Sequence, residues 1–385
     1  MKNIILNLFL VLSFGACQSR PTVVRNDGVS ETHRFDYASP PVWNSNMQDI
    51  KQHLVNLEPY IFDSTKFSAQ EKRKYIAKEI HNMSAASKNV KHDPAIHSKD
   101  PTVKFVAEQF SEELQDADEN FNAGRVEFTR WQMMQVTRYC MECHTRTREG
   151  SEIRSTVDNP PYIKTLSLLD QMEVMIAFRQ FDPAFSLAIE SLGKYKSTEK
   201  TTDKTNISVE RMARMGLLVA VQFMQNREKA IQLVEVIDRN KELPSYMADS
   251  TRLWKKSIEK WDPNQRLDSL VALREVSKLE ISDIESMRSV PALLRYMENT
   301  TSTDELAETL FLTGNSYDKL AKVSMLSLPE KYFELCITKA PQTTWAKKCY
   351  DRYEELTELG YSGSSGVHVP KKVRDHLGEL KRLTQ

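Results

Sequence analysis

Cys140, Cys143 and His144 are the residues whose types and spacing point most directly to chemistry. They belong to the run Cys-Met-Glu-Cys-His. In an exported chain, C-x-x-C-H is the attachment signature of c-type haem. The two thiols add across the two vinyl groups as thioethers, and His144 is carried under the iron as its proximal ligand. Three residues advance a helix by roughly 300°, so both sulfurs fall on one side. A zinc half-site and a redox dithiol are the competing readings. Zinc needs further ligands nearby, and no second cysteine pair follows at zinc-ribbon spacing. A thioredoxin-like dithiol needs a βαβ context, which the sequence does not offer.

Covalent haem attachment requires export, and the N-terminus predicts it. Lys2 is the only charge in the first 16 residues, and an apolar run from Ile4 to Phe14 follows. Such a run is a signal peptide, too short and too early to span a membrane. Gly15 and Ala16 then precede Cys17, which resembles a bacterial lipobox with Cys17 as the lipidated first residue. Ordinary signal cleavage is the alternative, because Phe14 is unusual three positions before that cysteine. Acyl chains on Cys17 anchor the chain to a membrane, since two or more hold stably. Gln18 beside the cysteine resembles the outer-membrane sorting signal. The expected location is the periplasmic side of a bacterial envelope, anchored in the outer membrane.

The remainder must supply elements that hold these residues. The 385 residues suffice for two domains. Charge is balanced, with 53 basic and 53 acidic residues, so a basic nucleic-acid surface is not expected. A charged fraction of 28% and only 11 glycines favour an all-α protein. No later stretch is apolar enough to span a membrane. After a signal peptide (1–16) and a polar tether (17–41), four helical stretches follow. The first runs from about Asn44 to Ile61, with Met47, Ile50, Leu54 and Leu57 on one face. The second runs from about Ser68 to Lys91, with Ser68 and Glu71 as a capping box. Ile76, Ile80 and Met83 are its apolar positions. The third starts at Asp100-Pro101, a cap followed by proline at the first helical position. Val103, Val106, Phe110 and Leu114 form its stripe, and Gly124 ends it. The fourth runs from Val126 to about Arg148, with Trp131, Met133, Val136 and Cys140 near one face. Four amphipathic helices of this length fit an antiparallel bundle.

Residues 42–152 resemble the cytochrome c-prime family, in particular its low-spin members with a methionine ligand. The shared features are four leading helices and a C-x-x-C-H in the fourth. The resemblance implies one covalent haem c and two further site residues. Arg148 occupies the place of the basic residue that follows the haem histidine, although Thr147 stands where an aromatic usually precedes it. Met47, early in the first helix, matches the sixth ligand. A methionine on an apolar stripe otherwise serves core packing. His53 lies off that stripe. His81 sits on the second helix, and His92 and His97 flank a loop. Without a side chain on the iron's sixth position, the site would bind nitric oxide or carbon monoxide.

Residues 162–385 read as helical hairpins. Met175 to Phe178 pairs with Ala184 to Leu192. Met215 to Phe223 pairs with Ala230 to Val236 through a turn at Asn226-Arg227. Leu310, Gly314 and Tyr317, then Phe333, Cys336 and Pro341, resemble the two helices of a tetratricopeptide repeat. A generic α-solenoid is the alternative. Trp345 to Leu356 is a further helix, Gly360 to Gly366 a flexible loop, and Lys371 to Leu383 a closing helix. Such stacks present a groove to a protein partner. Cys336 and Cys349 fall on faces that pack together, and an exported chain can oxidise them to a disulfide. There is no Walker A loop, H-E-x-x-H, G-x-S-x-G or G-x-G-x-x-G. The sequence thus predicts an electron carrier rather than a catalyst, with an unidentified redox partner. The competing function is an adaptor lipoprotein in which haem senses gas or redox state.

Overall fold

Apolar residues three and four apart build this molecule, because a helix turns every 3.6 residues and must hide one stripe. A computed structural model describes residues 41–91, 101–146, 163–197, 203–278, 282–321, 323, 328–364 and 366–385. Ser39–Gln385 form one compact unit. The chain is all-α but for one two-stranded antiparallel ribbon, in which Ser362 pairs with Val367. No helix among the described residues is long and apolar enough to cross a membrane.

Five helices make the first block: α1 (Pro41–Ile61), α2 (Ser64–Phe67), α3 (Arg73–Lys91), α4 (Pro101–Asn122) and α5 (Val126–Arg146). The predicted stripes are inside. Leu57, Ile76, Ile80, Met83, Val106, Leu114, Met133 and Val136 are fully buried. Trp131 is the exception. It is half-exposed and stacks on the equally exposed Phe128 at 5.8 Å. The expected capping box at Ser68 does not form either. Asp63 caps the short α2 by accepting from Lys66 N at 3.1 Å, and Ser68 closes that helix. A single 3-10 turn, Gln70–Lys72, then leads into α3. The early helix takes the Ser68 backbone before a longer one can start there.

Neighbouring helices in this block run antiparallel. Tyr60 meets Tyr75 while His53, earlier on α1, meets Glu79, later on α3. Ser87 meets Ser111 while His81 meets Asp118. Phe110 faces Tyr139, whereas Asn120 reaches back to Gln132. Gly124 makes the last reversal possible. Its φ of +82° is open to glycine and strained for other residues. Arg125 N then bonds Asn120 O at 2.9 Å, and Gly124 N bonds Phe121 O at 3.0 Å, closing α4 with a Schellman motif. By this alternation α1 and α5, which also touch, run antiparallel.

The rest consists of helix pairs: α6 (Leu168–Ala177) with α7 (Phe181–Lys194), α8 (Asp203–Leu218) with α9 (Arg227–Arg239), then α10 (Met247–Lys260). A π-helical turn, Val219–Phe223, extends α8. Three more pairs follow: α11 (Leu270–Lys278) with α12 (Asp283–Asn299), α13 (Thr303–Lys319) with α14 (Pro329–Lys339), and α15 (Thr344–Gly360) with α16 (Lys371–Leu383). The segment read as a flexible loop contains the ribbon, in which Gly366, at φ +106°, pairs with Gly363. Gly314 lets α13 and α14 approach. A Cβ there would stand 2.6 Å from the Phe333 ring. Cys336 on α14 and Cys349 on α15 stand at disulfide distance, with α-carbons 6.2 Å apart. One apolar core runs through both parts of the unit.

Candidate functional site

The last two turns of α5 carry Cys140, Cys143 and His144. Their backbone is helical, so the three-residue spacing sets the two cysteines on one side of the helix. Their side chains lie outside the described residues. Arg148, His92, His97 and Cys17 also lie outside them.

A hydrogen bond sets the register between α5 and α1. Arg130 Nη1, near the start of α5, donates to Ile61 O at the end of α1, 3.0 Å away. Met47 lies fourteen residues before Ile61, and His144 lies fourteen after Arg130. Both helices rise about 1.5 Å per residue, so in an antiparallel pair both positions fall about 21 Å from that anchor. Met47 is therefore level with the C-x-x-C-H run. It is half-buried and packed against the core.

The walls at this level are apolar. Ile50 on α1, Val90 on α3, and Val103 and Val106 on α4 are all buried. Two aromatics that the stripes did not single out join them. Phe105 of α4 is half-buried against the core, and Tyr139 of α5 sits 6.4 Å from Phe110, centroid to centroid. Burial, aided by the Glu113 and Glu112 carboxylates, raises the Tyr139 hydroxyl above its ordinary pKa. By residue type, the two cysteines, the histidine and Met47 are ones that could hold a porphyrin and its iron beside these apolar walls.

The histidines on α1 and α3 have other partners. His53 Nδ1 lies 2.8 Å from Glu79 Oε2, and Asn56 donates to the same oxygen at 2.9 Å. Burial alone would raise the Glu79 carboxyl. The His53 and Asn56 hydrogen bonds outweigh it and hold the pKa below its ordinary value. His81 Nδ1 lies 2.8 Å from Asp118 Oδ2 on the outer surface. Among the described residues, no cluster of three or more His, Cys, Asp or Glu side chains could hold a metal. Glu79 escapes a reading of the sequence, because its histidine partner lies 26 residues away on another helix. No protein-family model, no curated protein and no solved structure matches the chain.

Proposed function

We propose that the chain is an exported mono-haem c-type cytochrome that carries single electrons, with a helical-repeat part that docks a partner. In this reading residues 42–152 are a four-helix haem domain of the c-prime type, and residues 162–385 are a tetratricopeptide-like stack. Cys17 carries the lipid that anchors the chain on the periplasmic side of the envelope. The observation that carries the reading is the register: Met47 and the C-x-x-C-H run share one level on antiparallel helices.

Haem, when bound, supplies an iron that gains and loses one electron. The chain's own residues hold and shield it. Cys140 and Cys143 would hold the ring through thioether links, and His144 would offer its imidazole to the iron. Met47 would offer a thioether from α1. Arg148, four residues after His144 in the sequence, would supply the basic side chain that the resemblance implies. Ile50, Val90, Val103 and Val106, all buried, would keep water from the ring, and a dry site would favour the less charged state.

Acid–acetone extraction of purified protein tests the covalent link. Haem is expected to stay on the polypeptide, and the Cys140→Ala/Cys143→Ala variant is expected to lose it completely. Colour that leaves wild type with the solvent would end the proposal. Met47→Ala is expected to convert a low-spin spectrum to a high-spin one. A wild-type spectrum that is already high-spin, with carbon monoxide binding, would replace electron transfer with the sensor function.

A further inference from the structure

Gln132 of α5 donates to Glu113 Oε1 of α4 at 3.1 Å and accepts from Asn120 Nδ2 at 2.7 Å. It is therefore level with the stretch of α4 between them, which holds Asp116 and Glu119. Phe128, one turn before Gln132, shares its side of α5. Trp131 stacks on Phe128, and the two rings are 53% and 50% exposed. An open aromatic pair thus stands beside the C-terminal half of α4.

That helix has one sign in a chain of balanced charge. Between Pro101 and Asn122 it carries six carboxylates and one ammonium, Lys104. Lys104 lies 4.0 Å from Glu108, and Asp118 meets His81. Glu113 meets the neutral Gln132 amide. Asp116 and Glu119, both exposed, have no basic partner among the described residues. Glu112, Asp116 and Glu119 follow at four and three residues, so like charges are neighbours on the helix, which is unfavourable. No basic residue stands in the last turn, where the helix dipole is itself negative. The cations at this end are turned elsewhere. Arg125 donates to Asn120, Arg130 to Ile61 O and Glu127, and Arg73 lies against Gly124.

The same strip is already covered at its other end. Phe105, Gln109, Glu113, Asp116 and Asn120 follow at four, four, three and four residues, one face of α4. At Phe105 that face meets α14, whose Lys331 Nζ, held by Glu334, stands 5.3 Å over the ring. A cation over an aromatic ring is the contact the chain itself makes there.

We propose that Phe128, Trp131, Asp116 and Glu119 form a docking face for a cationic segment of a partner protein, one that alternates Lys or Arg with apolar side chains. Its cations meet the two carboxylates and the ring faces, and its apolar side chains cover the rest of the rings. The inference goes beyond the function above, because it puts a partner on the first block rather than on the helix pairs. It depends on neither haem nor lipid.

Fluorescence anisotropy with a labelled peptide of alternating Lys and Leu, titrated with the full chain, tests it. A peptide of alternating Gln and Leu serves as the comparison. The Lys peptide is expected to bind, and more weakly as salt rises. Phe128→Ala with Trp131→Ala is expected to weaken it roughly tenfold or more. Asp116→Asn with Glu119→Gln is expected to weaken it roughly threefold and to flatten the salt dependence. Glu242→Gln with Glu259→Gln, exposed outside the block, is expected to change nothing. No binding of the Lys peptide, equal binding of the Gln peptide, or an equal loss in the Glu242/Glu259 variant overturns the proposal. Self-association of the chain that the Phe128/Trp131 variant abolishes would give the face to a second copy and overturn it too. Visible spectra of the same samples report the haem independently.

Discussion

The first block and the last three helix pairs use the same secondary structure in different ways. In the block, the residues with distinctive chemistry are five consecutive ones on a single helix. The interior near them is apolar, aliphatic side chains with Phe105, Phe110 and Tyr139, and its polar links, such as Asn120 to Gln132 and Gln132 to Glu113, lie toward the other end. In the helix pairs, aromatic rings and a covalent staple join neighbouring helices. Tyr317 stacks on Tyr332 with centroids 5.4 Å apart, Phe311 touches both Phe333 and Trp345, and Cys336 meets Cys349. The block carries its motif on one helix, and the pairs tie neighbouring helices to one another. Chemistry and cohesion are thus placed in separate parts of one core.

The strongest way to break this contrast is to empty the aromatic joint. Phe333 is fully buried and fills the notch left by Gly314. Phe333→Ala is expected to lower unfolding free energy by about 3–5 kcal/mol, measured by urea denaturation. The visible spectrum of the folded variant is expected to match wild type. A loss below 1 kcal/mol, or an altered spectrum, would dissolve the division.

Next in size is the staple. Cys336 and Cys349 are separated by 13 residues, and a loop of that order is worth about 3 kcal/mol in the chain-entropy model. Cys336→Ala/Cys349→Ala is expected to lose about that much, and dithiothreitol-treated wild type is expected to track it. Denaturation midpoints that do not move with reductant would remove the bond from the account of cohesion.

The smallest expected effect lies in the block. The Glu79 carboxyl is held below its ordinary pKa by His53 and Asn56, against the opposing pull of burial. The folded state therefore favours the ionised form. That gain is complete above the ordinary carboxylate range and is lost as pH falls through the lowered value. Glu79→Gln is expected to cost about 1 kcal/mol at neutral pH, and the difference from wild type is expected to close in strong acid. A gap that widens on acidification would reverse the sign and refute the pairing.

How much of this was legible depends on distance along the chain. The α1 and α4 stripes, Pro101 at the head of α4, Gly124 at its end, and the two helices that meet at Gly314 were readable, because each signal lies within a few turns. So was the partnership of Cys336 and Cys349. Helices α10, α11 and α12 were not. α12 buries polar residues beside apolar ones, Ser286, Ser289 and Arg288 along with Met287 and Leu293. Its serines find partners inside, Ser289 Oγ bonding Ser286 O at 3.1 Å. A helix hidden on most sides shows no apolar stripe, so periodicity cannot mark it. Its capping box, Ser282 with Glu285, was the available signal. At the candidate site, the motif was plain from five letters. The register between α1 and α5 was not, because it rests on an Arg130 to Ile61 contact across 69 positions.

The block and the pairs meet at two seams rather than one. α6 lies on α5, and α14 reaches α4, where Lys331 Nζ stands 5.3 Å over the Phe105 ring. A plate held by one screw can swivel, whereas a second screw fixes its bearing. The pairs are accordingly carried at a set angle to α4 and α5, like a tool in an indexed holder.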